Sequence, residues 1–113
     1  MLTWAIGFAC TLALETPVYV LGLRRAVPAR RAALWSLGLN LLTHPVAWAL
    51  TRTGSGPRFA AVEIGVWLVE SAGVLALLRV PPRETPRPSG RVALALGTAL
   101  TANALSAGVG LLI

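Results

Sequence analysis

The sequence predicts an all-α integral membrane protein, a four-helix bundle built as two tandem helical hairpins. The chain has 113 residues, of which 56% are hydrophobic and only 12% are charged. Its apolar residues form four blocks of about 20 to 22 residues, which at about 1.5 Å per residue match the roughly 30 Å hydrocarbon core of a bilayer. The predicted helices cover residues 2–23, 32–51, 59–80 and 92–113, in a single transmembrane domain.

The first block is interpreted as a retained helix, because it lacks the basic residues that precede a signal peptide and is too long for one. The other three blocks follow connections that are short and rich in Arg, Pro and Gly, at residues 24–31, 52–58 and 81–91. Such connections favour antiparallel neighbours, so successive helices pair as hairpins. The single cysteine, Cys10, excludes an intramolecular disulfide.

All ten basic residues are arginines that lie in the connections or at helix ends. The chain has no basic helical face with interleaved aromatic residues, so nucleic acid is not expected as a partner. Arginine is concentrated in the first and third connections, which predicts that these lie in the cytoplasm and that both termini face outward. The two sets are Arg24, Arg25, Arg30, Arg31, Arg79, Arg83, Arg87 and Arg91, against Arg52 and Arg58.

The two hairpins carry the same polar residues at corresponding positions. The segment 15–24 of the first helix can be laid over the segment 70–79 of the third, which matches Glu15 with Glu70. The segment 37–43 of the second helix likewise falls on 100–106 of the fourth, which pairs residues as Asn40 with Asn103 and Thr43 with Ser106. These matches predict an internal repeat whose pseudo-two-fold axis runs along the membrane normal.

The repeated residues are predicted to meet near the middle of the bilayer. Counting about 1.5 Å per residue, both glutamates and both asparagines lie within roughly 4 Å of the midplane. An ionised carboxylate there costs on the order of 3 kcal/mol, so each glutamate must face the bundle interior, carry a proton or hold a cation. One interpretation is an oxygen-rich site for a proton or cation. The other is that protonated glutamates fasten the helices through hydrogen bonds to the asparagines.

A second polar group lies toward the predicted outer face. Asn40, His44 and Trp48 step along one face of the second helix, and Glu63 shares a face with Glu70 on the third. His44 titrates near neutrality and could relay a proton to Glu63, or it could simply fix the end of its helix. A metal site of Cys10, His44 and Glu63 is a weaker alternative. The candidate ion-binding or proton-relay residues are Glu15, Asn40, Thr43, His44, Glu63, Glu70, Asn103 and Ser106.

These motifs resemble those of a family of small four-helix bacterial membrane proteins of uncharacterised function. The most specific part is the run Asn40-x-x-Thr43-His44-Pro45-x-x-Trp48, and the likeness covers nearly the whole chain. It implies a multi-pass protein of the bacterial inner (cytoplasmic) membrane, and it implies no activity.

Two functions are consistent with the residues. The first is a small transporter or channel for a proton or cation, forming a homo-oligomer because four short helices enclose little space. The second is a non-catalytic accessory subunit that binds other membrane subunits. The serines lack a base at recognisable spacing and no phosphate-binding loop is present, so an enzyme is not expected. The sequence specifies no cofactor and no particular metal.

Overall fold

The computed structural model describes residues 2–52, 56–79 and 88–112, and within these ranges the chain forms four α-helices. They are α1 (Leu2–Gly22), α2 (Ala29–Thr51), α3 (Gly56–Arg79) and α4 (Pro88–Leu112). Each helix packs against two neighbours, in the cyclic order α1, α2, α3, α4. The predicted all-α membrane bundle of four helices is thereby confirmed, whereas its pseudo-two-fold axis stays a prediction.

Three helices begin before the apolar blocks that predicted them. Helix α2 begins at Ala29 rather than residue 32, α3 at Gly56 rather than 59, and α4 at Pro88 rather than 92. Hydropathy marks only the part of a helix in hydrocarbon, whereas helical hydrogen bonding continues into the headgroup region, where arginines are stable. The predicted helix ends at residues 80 and 113 lie outside the described residues, as do residues 81–87 of the third connection.

Within the described residues, three helices are long and apolar enough to cross a membrane. Their spans are Thr3–Gly22, Gly56–Arg79 and Gly90–Gly110, with mean hydropathies of 1.5, 1.8 and 1.5. Helix α2 has a similar length, 23 residues, and packs between α1 and α3. It is less apolar because it carries Asn40, Thr43 and His44 in its middle.

The bundle has an apolar exterior, and its interior contains polar as well as apolar side chains. Large apolar side chains such as Leu21, Leu42 and Leu100 are exposed around the outside of the helices. Buried polar side chains occupy the interior, and they are Glu15, Ser36, Asn40, Thr43, Glu70, Ser71, Thr98 and Asn103. A soluble protein rarely exposes so much contiguous apolar surface, so lipid is the medium that fits this exterior.

The two ends of the bundle differ in arginine content. We call the end with Arg24, Arg25, Arg30, Arg31 and Arg79 the Arg-rich end, and the end with Arg52 and Arg58 the Arg-poor end. The half next to the Arg-rich end holds a closely packed core that includes Tyr19, Leu23, Val74, Leu77 and Leu78.

The connection between α1 and α2 covers this core at the Arg-rich end. Ala26 and Val27 each donate a backbone hydrogen bond to the carbonyl oxygen of Leu23, which turns the chain back under the helices. Both side chains are buried. Pro28 then precedes the first turn of α2, where its missing N–H costs no helical hydrogen bond. The Arg-rich half is therefore filled by protein.

Candidate functional site

A cavity of about 580 Å³ lies between the four helices in the other half of the bundle. Its lining residues run from Thr3, Thr51, Phe59 and Gly110 near the Arg-poor end to a floor near the middle of the helices. The floor contains Glu15, Asn40, Glu70 and Asn103, which are the deepest lining residues of their respective helices. The cavity thus reaches the middle of the bundle from one side only, because the packed core lies beneath its floor.

All eight candidate residues predicted from the sequence line this cavity. They are Glu15, Asn40, Thr43, His44, Glu63, Glu70, Asn103 and Ser106. The spacing of polar residues along each helix places them on one face, and the four faces converge. The midplane group and the outer group therefore face the same cavity.

The Glu15 carboxylate accepts hydrogen bonds on both of its oxygens. Asn40 Nδ2 donates to Glu15 Oε2 over 2.9 Å, and Ser106 Oγ donates to Glu15 Oε1. The first bond lies within the α1–α2 hairpin, and the second joins α1 to α4. Only 1% of the Glu15 surface is exposed, so both bonds form in the interior of the bundle.

The Glu70 carboxylate accepts three hydrogen bonds. Asn103 Nδ2 and Tyr19 Oη donate to Glu70 Oε2 over 2.6 and 3.0 Å, and Thr43 Oγ1 donates to Glu70 Oε1 over 3.0 Å. Its exposed fraction is also 1%. These donors come from α1, α2 and α4, so Glu70 is joined to every other helix. Across the two glutamates all five donors are neutral amides or hydroxyls.

The two glutamates form matching hydrogen bonds. Replacing each residue of one glutamate's bonds by its equivalent in the predicted repeat gives the bonds of the other glutamate. Exchanging Glu15 with Glu70 and Asn40 with Asn103 turns the Asn40–Glu15 bond into the Asn103–Glu70 bond. Exchanging Ser106 with Thr43 likewise turns the Ser106–Glu15 bond into the Thr43–Glu70 bond.

Both asparagines also donate to the carbonyl oxygen four residues earlier, at Ser36 and Ala99. These two carbonyls occupy equivalent positions of the proposed repeat. The correspondence concerns side-chain bonding only, and it supports the internal repeat.

Two features break this correspondence. Tyr19 bonds to Glu70, but the equivalent position in α3 is Val74, so Glu15 has no corresponding phenol. Thr16 shares a hydrogen bond of 3.3 Å with Ser36, whereas the buried Ser71 Oγ, at the position equivalent to Thr16, has no partner among the described residues. Glu70 is consequently held by more donors than Glu15.

His44 packs in an aromatic cluster. Its ring centroid lies 5.3 Å from that of Phe8 and 6.1 Å from that of Trp4, and the latter two rings are stacked. Its Nε2 atom is shielded from solvent and has no hydrogen-bond partner in the described part of the chain. This nitrogen therefore forms no hydrogen bond to Glu63, although both side chains line the cavity, and the proton relay stays one of the two interpretations of His44.

The weaker alternative of a Cys10, His44 and Glu63 metal site is not assembled. Among the described residues, no group of three or more His, Cys, Asp or Glu side chains is placed to hold a metal ion. Each of the three residues lines the cavity, but they do not form a coordination sphere.

Sequence reasoning missed the part that Tyr19 plays in the site. Tyr19 is fully buried beneath the cavity, and its hydroxyl contacts Glu70 on the diagonally opposite helix. The available signal was its position one turn after Glu15, which places both residues on the same face of α1. In comparisons with known proteins, no family model, curated protein or solved structure matches this chain.

Proposed function

We propose that this chain is a small membrane transporter for a proton or another cation, with its site at Glu15 and Glu70. The observation that carries the proposal is the cavity whose floor consists of two buried glutamates and two asparagines. Carboxylates at this depth cost on the order of 3 kcal/mol each when ionised, and their usual use in membrane helices is to carry protons or ions. Both glutamates line the cavity, although only 1% of the surface of each is exposed.

The packed core beneath the floor supports a transporter over a permanently open channel. A channel requires a continuous path, whereas alternating access requires that one side be closed while the other is open. Tyr19, Leu23, Leu77 and Leu78 fill the path toward the Arg-rich end. We infer that transport requires these residues to move, whereas a homo-oligomer in the bacterial inner membrane stays a prediction from the sequence.

The alternative is a non-catalytic accessory subunit, and the hydrogen bonds of the two glutamates favour it. Together they connect all four helices, as expected if the acids fasten the bundle. Such bonds contribute about 0.6 to 2 kcal/mol each in membranes. Purification of the chain alone separates the two functions: a stable homo-oligomer by light scattering favours transport, and instability without partners favours a subunit.

Substitution of Glu70 tests the transport proposal directly. Glu70→Gln preserves the shape of the side chain but removes its ionisable group, so flux through reconstituted vesicles should fall to the level of protein-free vesicles. Protons, sodium, calcium and transition metals are the cations to be measured. Thr101→Val is the matched control, because Thr101 is exposed on α4 outside the cavity and bonds only to the carbonyl oxygen of Gly97.

A second substitution keeps the result interpretable if the bundle is weakened. Glu70→Leu removes three hydrogen bonds and should lower the free energy of unfolding, by about 0.6 to 2 kcal/mol per bond. If Glu70→Gln transports like the parent while Glu70→Leu unfolds readily, the glutamate is structural. Absence of flux for every cation in the parent oligomer would also favour the accessory subunit.

A further inference from the structure

The cavity is much larger than a small inorganic ion requires. Its volume of about 580 Å³ compares with a share of about 30 Å³ for one water molecule. It falls within the range of roughly 300 to 1,000 Å³ that is typical of pockets for small organic ligands. A site for a proton or a dehydrated metal ion needs only the few oxygen atoms at the floor.

Apart from Cys10 and His44, the ionisable side chains that line the cavity are acidic. The chain has four acidic residues, and three of them, Glu15, Glu63 and Glu70, line the cavity. The fourth, Glu84, lies outside the described residues. Of the ten arginines, Arg83 and Arg87 also lie outside them, and none of the others lines the cavity. A low-dielectric cleft lined by one sign of charge favours ligands of the opposite sign.

The walls above the floor are largely apolar. They include Ile6, Leu14, Val66 and Val109, with the aromatic side chains of Trp48 and Phe59 nearer the Arg-poor end. Such walls are poor partners for water, but they suit the hydrocarbon part of an organic molecule. Aromatic side chains also pack well against the rings of organic ligands.

From the volume, the three acidic side chains and the apolar walls, we infer that the cavity binds an amphipathic organic cation. Its ammonium group lies at the floor next to Glu15 and Glu70, and its hydrocarbon part lies against the walls toward Trp48 and Phe59. The inference rests on the proposed function, because it names the class of cation that the same acidic site takes.

The native cysteine provides a reporter for this inference. Cys10 is a free, half-buried thiol on the cavity wall. The probe is benzyltrimethylammonium, whose quaternary charge does not depend on pH. Its control is neopentylbenzene, which has the same shape with carbon in place of nitrogen. The measured quantity is the rate at which N-ethylmaleimide alkylates Cys10 in the purified parent oligomer.

Benzyltrimethylammonium should slow the alkylation in a saturable way, whereas neopentylbenzene and sodium chloride at equal ionic strength should not. Glu15→Gln and Glu70→Gln should each raise the concentration for half-protection by about tenfold or more, because each removes a charged partner of the ammonium group. Thr101→Val, outside the cavity, should leave that concentration unchanged. An alkylation rate without probe that equals the parent's verifies that each variant keeps its cavity.

Trp48→Ala serves as a second variant if the glutamate variants fail to fold. It leaves the floor intact and should weaken protection by about twofold to tenfold, in line with the loss of an aromatic contact to the hydrocarbon part of the probe. Three results would each overturn the inference. They are no saturable protection by benzyltrimethylammonium, equal protection by neopentylbenzene, and protection that is unchanged in the glutamate variants and in Trp48→Ala.

The inference and the proposed function can fail separately. If protons or sodium cross the membrane in a Glu70-dependent way but benzyltrimethylammonium gives no protection, the protein is a small-ion transporter. The inference of an organic-cation site is then wrong. Protection that depends on both glutamates, without flux of any cation including the probe, would leave the binding site and overturn transport.

Discussion

At the scale of single residues, buried hydroxyl groups in the bundle interior differ in how many hydrogen-bond partners they have. Thr43 Oγ1 lies 3.0 Å from both Glu70 Oε1 and the carbonyl oxygen of Leu39, and its single hydroxyl hydrogen is shared between these two acceptors. Ser71, one residue after Glu70, is equally buried, but its hydroxyl has no partner in the described part of the chain. Burial of a hydroxyl costs free energy unless the hydroxyl is hydrogen-bonded, so these two residues should respond oppositely to its removal.

Removal of the two hydroxyls therefore gives a matched prediction. Thr43→Val should lower the free energy of unfolding by about 0.6 to 2 kcal/mol, because it leaves a buried carboxylate oxygen without its donor. Ser71→Ala loses no bond, so its stability should equal or exceed the parent's. Both are measured by equilibrium unfolding of the purified protein in mixed micelles. A larger loss for Ser71→Ala than for Thr43→Val would contradict the assigned bonding.

The same residues indicate what the sequence could predict of the site. A glutamate or asparagine in the middle of an apolar helix must face inward, so the depth and convergence of Glu15, Asn40, Glu70 and Asn103 were predictable. Which oxygen accepts from which donor depends on helix rotation and rotamers, which no single helix specifies. The bond from Tyr19 to Glu70 crosses the bundle diagonally, and a tyrosine in an apolar helix gives no sign of its partner.

At the scale of helices, close approach depends on small residues at particular positions. A Cβ atom added at Gly73 of α3 would lie 2.5 Å from Cδ2 of Leu39 on α2, and its other two nearest atoms belong to the same side chain. The Gly73 carbonyl oxygen also accepts a hydrogen bond of 3.0 Å from Trp35 Nε1 of α2. Gly65, on the same helix, has nothing within 4 Å of the corresponding point. Membrane helices pack closely where such small residues face a neighbour.

Gly73→Ala should therefore destabilise the bundle by about 1 to 3 kcal/mol, since the added methyl group forces Leu39 to move within a packed interface. Gly65→Ala meets no neighbour, so it should be neutral or stabilising by up to about 1 kcal/mol through helix propensity. Thermal unfolding of the two variants in detergent gives the comparison.

A second substitution that removes the clash between residues 73 and 39 serves as a control. In the double variant Gly73→Ala, Leu39→Ala, the shorter side chain at residue 39 should make the two effects non-additive. Equal stability of the two single glycine variants would argue against the α2–α3 packing described above.

At the scale of the whole molecule, the one-sided cavity could not be predicted from the sequence. The four blocks and their arginines predicted four helices and their alternating direction, because hydrocarbon thickness and loop length constrain both. Whether a bundle is filled or hollow at a given level depends on how side chains from different helices meet. Large residues such as Tyr19, Leu77 and Leu78 fill the Arg-rich half, whereas Gly7, Ala47 and Ala107 leave space in the other.

This division of the bundle makes the predicted topology testable together with the cavity. The arginine distribution predicts that the Arg-poor end faces outward. In a Cys10→Ala background, a cysteine at Ala107 lines the cavity and should react with an impermeant thiol reagent added outside intact cells. A cysteine at Ala99 lies eight residues away on the same helix, about 12 Å deeper in the packed core, and should be protected.

Cysteines in the connections give the orientation independently of the cavity. Arg30→Cys, at the Arg-rich end, should be shielded from the outside reagent, and so should Arg87→Cys, whereas Ser55→Cys should react. Residues 55 and 87 lie outside the described residues, so they test the arginine distribution alone. Reaction at residue 30 with protection at 107 would mean that the predicted topology is reversed and that the cavity opens toward the cytoplasm. Reaction at both 107 and 99 would instead mean that the core is not closed, which favours a channel over a transporter.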